Sequence, residues 1–264
     1  MNVAPFQTAA HPYSALAFDS LAPIGEQIEE DLIEEVARIV GYERINAHPP
    51  RAPAQMRSAP EAQRDAHELR RRMVECGYQE LVNFSFVDRE GEAQFGSPDQ
   101  TISVINPSAS QYAVMRTTLI GGLVAKLRHN LNNQASRVRV FEVGRVFLRD
   151  ATVRDSPLEV PGVAQPLRLG ALAFGAREDE QWGLPSQPVD FFDLKGDLQR
   201  LIGPLTARFE RAPHRALHPG RCARIQIGGQ SAGWIGELHP SWVQAYDLPR
   251  APVLFELDVA ALQE

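Results

Sequence analysis

Residues 115–150 read MRTTLIGGLVAKLRHNLNNQASRVRVFEVGRVFLRD, a helix followed almost at once by a strand. The helix is read as carrying Arg116, Arg128 and His129, and the strand as holding Arg139, Glu142 and Arg145. Two elements of different period in such close succession must bury their apolar sides in one core. Further strands are read at 78–87, 101–105 and 167–174, with four short ones near Arg208, 223–227, 232–237 and 253–257. Helices are read at 28–42, 61–76 and 190–202. Strands separated by turns, with helices between some of them, predict an α+β fold on a mostly antiparallel sheet.

The segment ahead of that core is organised differently. Residues 1–27 mix Pro, Ala, Ser and Gly without a sustained period and read as an irregular lead-in. From Ile28 the apolar residues Ile28, Leu32, Val36 and Ile39 recur at helical spacing. Acids lie early in this helix and Arg38 late, which complements the helix dipole, and Gly41 is a natural stop. Four prolines between 48 and 60 mark an extended linker. The division is therefore a lead-in at 1–27, a helix with a Pro-rich linker at 28–60, and a main domain at 61–264.

Composition excludes several classes. A net charge of −6 disfavours a free-standing nucleic-acid binder, which carries a basic face. Cys76 and Cys222 are far apart and in no metal-ligand spacing, which fits a reducing compartment, the cytoplasm. No apolar run approaches the roughly 18–20 residues of a membrane span.

Six segments, in order, carry a resemblance. They are IEEDLIEEVARIVGYERI (28–45), GYQELVNFSFV (77–87), the stretch 115–150, VDFFDLKGDLQRLIG (189–203), LHPGRCA (217–223) and IGELHP (235–240). Together they resemble the β subunit of bacterial phenylalanine–tRNA ligase, in its class II aminoacyl-tRNA synthetase-like core. The resemblance implies an antiparallel sheet flanked by helices and preceded by a short helical segment. It also implies a partner, the catalytic α subunit, in an α2β2 ligase that charges tRNA with phenylalanine and binds RNA only as the full assembly. A proofreading domain would lie before residue 28 and an anticodon-binding domain after Leu257. Helix 61–76 and strand 78–87 match the pairing signature of class II enzymes. Leu69, Met73, Phe84 and Phe86 are accordingly either interface residues or plain core. An apolar face left without its partner would drive homodimerisation.

The same resemblance argues against chemistry in this chain, so no catalytic residue is assigned. In active members an arginine of the second signature touches ATP. Leu148 stands at that position here, in Phe147-Leu148-Arg149-Asp150. Active members carry a glycine-rich strand and a second ATP arginine in the third signature, which here reads VLFELDVAAL (253–262). Glu256 and Asp258 replace glycines and Ala261 replaces the arginine. Carboxylates beside a triphosphate would repel it. ATP and phenylalanine would then be bound by the α subunit.

Asp31, Glu34 and Glu35 lie at i, i+3 and i+4, so one helix side carries all three carboxylates. They are either a solvated acidic helix start or the Mg2+ site that the resemblance implies, shared with the α subunit. The fourth ligand would be an aspartate six residues before Asp31. That position is Gly25, and Asp19 is the available substitute. Histidines 214, 218 and 239 sit at turns with no zinc-type pattern around them. Arg139, Glu142 and Arg145, with Arg116, read either as a substrate clamp or as structural ion pairs. Two other classes remain: an independent ATP-using ligase paralogue with a rewired active site, relying on Arg149, and an RNA-binding module.

Overall fold

The computed structural model describes residues 24–46, 66–154 and 160–262. The chain divides into two compact units, residues 1–58 and 59–264.

In the first unit, α1 (Ile24–Val40) begins four residues earlier than the periodicity predicts. It stops where Gly41 turns to a φ of 96°, a conformation that costs other residues a Cβ clash. A single 3-10 turn follows at Tyr42–Arg44. Leu32, Val36 and Ile39 form an apolar stripe that is exposed. The linker at 48–60 and residues 1–23, including Asp19, lie outside the described residues.

The second unit is built on a seven-stranded sheet in the order β1-β4-β7-β11-β10-β9-β8. Its strands are β1 (Gln79–Glu80), β4 (Val138–Arg145), β7 (Leu167–Phe174), β8 (Ala207–Arg211), β9 (Leu217–Ile227), β10 (Gln230–Leu238) and β11 (Val253–Asp258). Only the short β1–β4 pairing is parallel; the other neighbours run antiparallel. Because side chains alternate along a strand, each strand feeds two cores. Phe141, Leu169, Ala171, Phe255 and Ile225 point to one face. There they meet α2 (Ala66–Glu75) and α5 (Phe191–Ile202). Val138, Val140, Leu172 and Leu254 point to the other face, under α4 (Ile120–Asn132) and α6 (Pro240–Ala245). Each large side chain so buried stabilises by about 1.5–3 kcal/mol.

α5 starts where the capping chemistry demands. Asp190 Oδ1 accepts from the N–H of Phe192 at 2.8 Å and of Asp193 at 2.9 Å, and Asp193 answers by accepting from Asp190 N at 3.0 Å. Such a reciprocal cap is worth about 1 kcal/mol.

Three local expectations need correction. The strand read at 78–87 is two short strands, β1 and β2 (Phe86–Val87), joined by an extended stretch. After Leu81 N donates to Phe141 O at 2.7 Å the chain leaves the sheet, and β2 pairs with β3 (Val114–Met115) instead. The strand read at 101–105 is a single bridge, Ser103 to Val114, beside a helix the periodicity missed, α3 (Arg89–Phe95). Arg116 does not ride on α4. It lies in the extended segment between β3 and that helix, whereas Arg128 and His129 are on the helix as read. The remaining pair, β5 (Leu148–Arg149) and β6 (Val163–Ala164), forms a small separate ribbon.

Candidate functional site

The register of the sheet places Glu142, Gly170 and Glu256 side by side across β4, β7 and β11, all on the α4 face. Gly170 leaves the space that the N-terminus of α4 fills: a Cβ there would lie 3.2 Å from the Cβ of Leu119. The two flanking glutamates reach up around this helix start, and a third, Glu92 from α3, meets it from outside.

Each glutamate holds a different residue of the segment 116–119. Arg116 Nη1 donates to Glu142 Oε1 at 2.6 Å, and Arg116 Nε donates to the Arg145 carbonyl at 2.9 Å. Asn83 Nδ2 donates to the other oxygen of Glu142 at 2.6 Å. Thr117 donates its N–H to Glu92 Oε1 at 2.7 Å and its hydroxyl to the same oxygen. Thr118 Oγ1 and Leu119 N donate to Glu256 Oε1 at 2.8 and 2.6 Å. Glu256 Oε2 then pairs with Arg168 Nη1 at 2.8 Å. All three carboxylates are buried. Burial raises the Glu92 carboxyl above the ordinary range, opposed by the two Thr117 bonds, and the nearby Glu256 charge adds to the rise.

Arg116, Arg139, Glu142 and Arg145 are thereby sorted. Neither Arg139 nor Arg145 pairs with Glu142, because three residues along a strand reverse the face. Arg139 points to the α5 face and donates to Asp197 Oδ2 at 2.9 Å, where Tyr78 Oη also donates at 2.9 Å. Burial, then the Asp197 charge, raises the Tyr78 phenol far above its usual range. Arg145 donates to the Gln165 carbonyl at 2.6 Å. Of the four, the pair that forms is Arg116 with Glu142.

Beside the row lies a cavity of about 510 Å³, walled by the loop after α3, Thr117, Thr118, Leu148, Arg168, His214, Trp234, Glu256 and Asp258. The positions matched to the two ATP-binding signatures therefore share one wall system. Where the resemblance places an ATP arginine the wall is Leu148. Glu256 is committed to Arg168, Thr118 and Leu119. Beyond β11 the chain makes only a 3-10 turn, Val259–Leu262, so the long helix that would carry a second arginine is not formed within the described residues.

The interface candidates separate into two pairs. Leu69 and Met73 are fully buried between α2 and the α5 face of the sheet, so they are core and cannot form a contact surface. Phe84 and Phe86 are 72% and 44% exposed and lie on the same side of an extended stretch as Val82, 90% exposed. The Phe84 ring packs on Tyr112, with centroids 5.6 Å apart.

On α1 the three carboxylates Asp31, Glu34 and Glu35 lie on an exposed helix. Glu35 pairs with Arg38, and among the described residues no three His, Cys, Asp or Glu side chains converge on a possible metal position. Histidines 214, 218 and 239 each accept a backbone N–H two residues ahead through Nδ1, at 3.2, 2.9 and 3.2 Å, as turn-capping residues do. Both cysteines are free thiols.

Sequence reasoning missed Glu92, Thr117, Thr118, Arg168 and Asp197 as site-forming groups. One signal was available: an acid alone within the apolar run VLFEL must find a buried partner. Another was Arg168 within an otherwise apolar strand.

Comparison with known proteins agrees with this architecture. The family described as "Phenylalanyl tRNA synthetase beta chain CLM domain" matches residues 45–259. The phenylalanine–tRNA ligase beta subunit of Ralstonia nicotianae is 58% identical over 236 residues, 89% of this chain and 29% of that protein. Those of Burkholderia lata and Bordetella parapertussis are 57% and 53% identical, over 29% and 30% of their lengths. The chain thus spans less than a third of these relatives. A pyrrolysyl tRNA synthetase of Desulfitobacterium hafniense, PylSc, superposes with a TM-score of 0.53 at 11% identity, over 74% of this chain and 63% of that one. That likeness concerns the fold alone, which is the class II synthetase type. The chain belongs to the family of the phenylalanyl tRNA synthetase beta chain CLM domain.

Proposed function

We propose that this chain is the synthetase-like module of a phenylalanine–tRNA ligase β subunit, without chemistry of its own. It docks on a catalytic α subunit in an α2β2 enzyme of the cytoplasm, where α binds ATP and phenylalanine and tRNA is engaged by the whole assembly. The observation that carries this reading is Glu256. A buried carboxylate, tied to Arg168 and to the start of α4, stands where a nucleotide would need an open, positively charged wall. The docking face is the stripe Val82, Phe84 and Phe86, apolar residues that a soluble chain exposes together at a contact site. None of the described helices is long and apolar enough to cross a membrane.

Sedimentation velocity of the chain mixed with a bacterial α subunit tests the docking face. The wild-type chain is expected to co-sediment with α, and Phe84→Asp to weaken that association by about tenfold or more, since truncating a central anchor costs about 2 kcal/mol or more. The Phe84 ring is outside the core, so the thermal midpoint of the isolated variant should stay within a degree or two. Equal association of both chains would remove Phe84 from the interface. Self-association of the wild-type chain that Phe84→Asp abolishes would identify the same face as one that dimerises when α is absent.

A further inference from the structure

The seven-stranded sheet ends on β8, Ala207–Arg211, which pairs with β9 on one side and, among the described residues, with no strand on the other. Beyond the β9 ladder, no backbone hydrogen bond reaches these five residues within the described chain. Such an edge presents a row of N–H and C=O groups that another strand can complete. Pro204 and Pro213 flank it and lack the N–H that would continue a ladder, so the available edge is the short run ARFER.

Alternation sorts that run. Ala207 and Phe209 turn to the α5 face and pack on its core, where Lys195 Nζ of α5 lies 4.5 Å from the Phe209 ring centre. Arg208 and Glu210 turn to the opposite face and are exposed. The Arg208 guanidinium has no partner among the described residues. Gln226 Nε2 donates to Glu210 Oε2 at 2.8 Å, and Glu210 Oε1 stays open. Two charges of opposite sign thus stand symmetrically about Phe209.

Two identical strands that pair antiparallel are related by a two-fold axis normal to the sheet. That axis preserves the faces, so the pairing is centred on a residue. Centred on Arg208 or on Glu210, it sets like charges directly opposite each other, which is destabilising. Centred on Phe209, the only register that uses all five residues, it sets Arg208 opposite Glu210 of the second copy and Glu210 opposite Arg208 of that copy. The two Phe209 side chains then stand opposite one another on the other face. Opposite charges and facing aromatic rings both favour such a ladder.

We infer that β8 is a homodimerisation edge, where a second copy of this chain pairs antiparallel through Phe209 and continues the sheet across both molecules. The inference goes beyond docking on an α subunit. The stretch with Val82, Phe84 and Phe86 leaves the sheet after β1, at the opposite end of the strand order, so the two surfaces are separate.

Sedimentation velocity of the full chain, from about 1 μM to about 1 mM to span weak specific complexes, tests it. The wild-type chain should pass from monomer to dimer, and Phe84→Asp should do the same. Arg208→Glu and Glu210→Arg each put like charges in both cross-strand pairs, and each should weaken self-association about tenfold or more. Mixed in equal amounts, these two variants restore opposite charges in both pairs and should associate about as strongly as the wild type. Independently of any variant, hydrogen exchange at the backbone amides of residues 208–211 should slow as wild-type concentration rises. A wild-type chain that stays monomeric overturns the inference. So does self-association that survives undiminished in either charge variant, that the mixture fails to restore, or that Phe84→Asp abolishes. Exchange at 208–211 that ignores concentration overturns it as well.

Discussion

Arg116 is 5% exposed, and its charge is met by Glu142 at 2.6 Å inside a protein interior. A buried pair of this kind adds little net stability, yet removing one partner strands the other without water. Arg116→Ala should therefore destabilise the fold by about 3–5 kcal/mol in urea unfolding, more than an ordinary surface truncation. Gly144 belongs to the same unit, since a Cβ there would meet Arg116 Nη2 at 2.3 Å. Glu92 behaves in the opposite sense, because it has hydrogen-bond donors but no ion-pair partner among the described residues. Its carboxyl is raised in the fold, so the folded state binds the proton more tightly than the unfolded chain. The stability this confers is present below the ordinary Glu range and lost as pH rises through the raised value. Glu92→Gln keeps an acceptor for Thr117. It should flatten the change of thermal midpoint as pH rises above the ordinary Glu range of about 4, relative to the wild type. An identical pH profile would show that Glu92 ionises freely.

Elements with an unmixed signal were legible in the sequence. Helix 28–42, strand 167–174 and helix 190–202 each have a clear period and a turn or cap residue at an end. The strand at 78–87 was not, because its alternation persists after the backbone leaves the sheet at Leu81. What holds it there is the contact of half-buried Asn83 with Glu142 and Gly122, a tertiary contact with no local signature. Likewise the glutamate row depends on strand register, which pairs residues from 142 to 256 and cannot be read from neighbours in sequence. Register is pinned in part by the irregularity between Ser231 and Gly233 in β10. At Gly233, φ is 153° and a Cβ would lie 2.0 Å from the Glu256 carbonyl oxygen, so no side chain fits there without a backbone shift. Gly233→Ala should cost about 1–3 kcal/mol, as overpacking does. Gly196→Ala is its counterpart within α5, where nothing lies within 4 Å, and should stabilise by about 0.5–1 kcal/mol. Chemical denaturation of both variants checks the contrast in sign.

At the scale of the whole molecule, a synthetase-like sheet holds its buried charges against one another. Glu256 fastens β11 to α4, and Arg168, the cation nearest to it in the cavity wall, is neutralised by that same carboxylate. The net charge of −6 disfavours a free-standing nucleic-acid binder. Its family was legible from motif order. The inward role of Glu256 was not, since it depends on a hydrogen bond across 137 residues of chain. The central claim is that this fold forms no aminoacyl-adenylate by itself. Phenylalanine-dependent exchange of pyrophosphate into ATP measures that step directly. The account predicts no exchange above background for the purified chain, and exchange once an active α subunit is assembled with it. Exchange by the chain alone, abolished by Arg149→Ala, would contradict the account and make this an ATP-using enzyme in its own right.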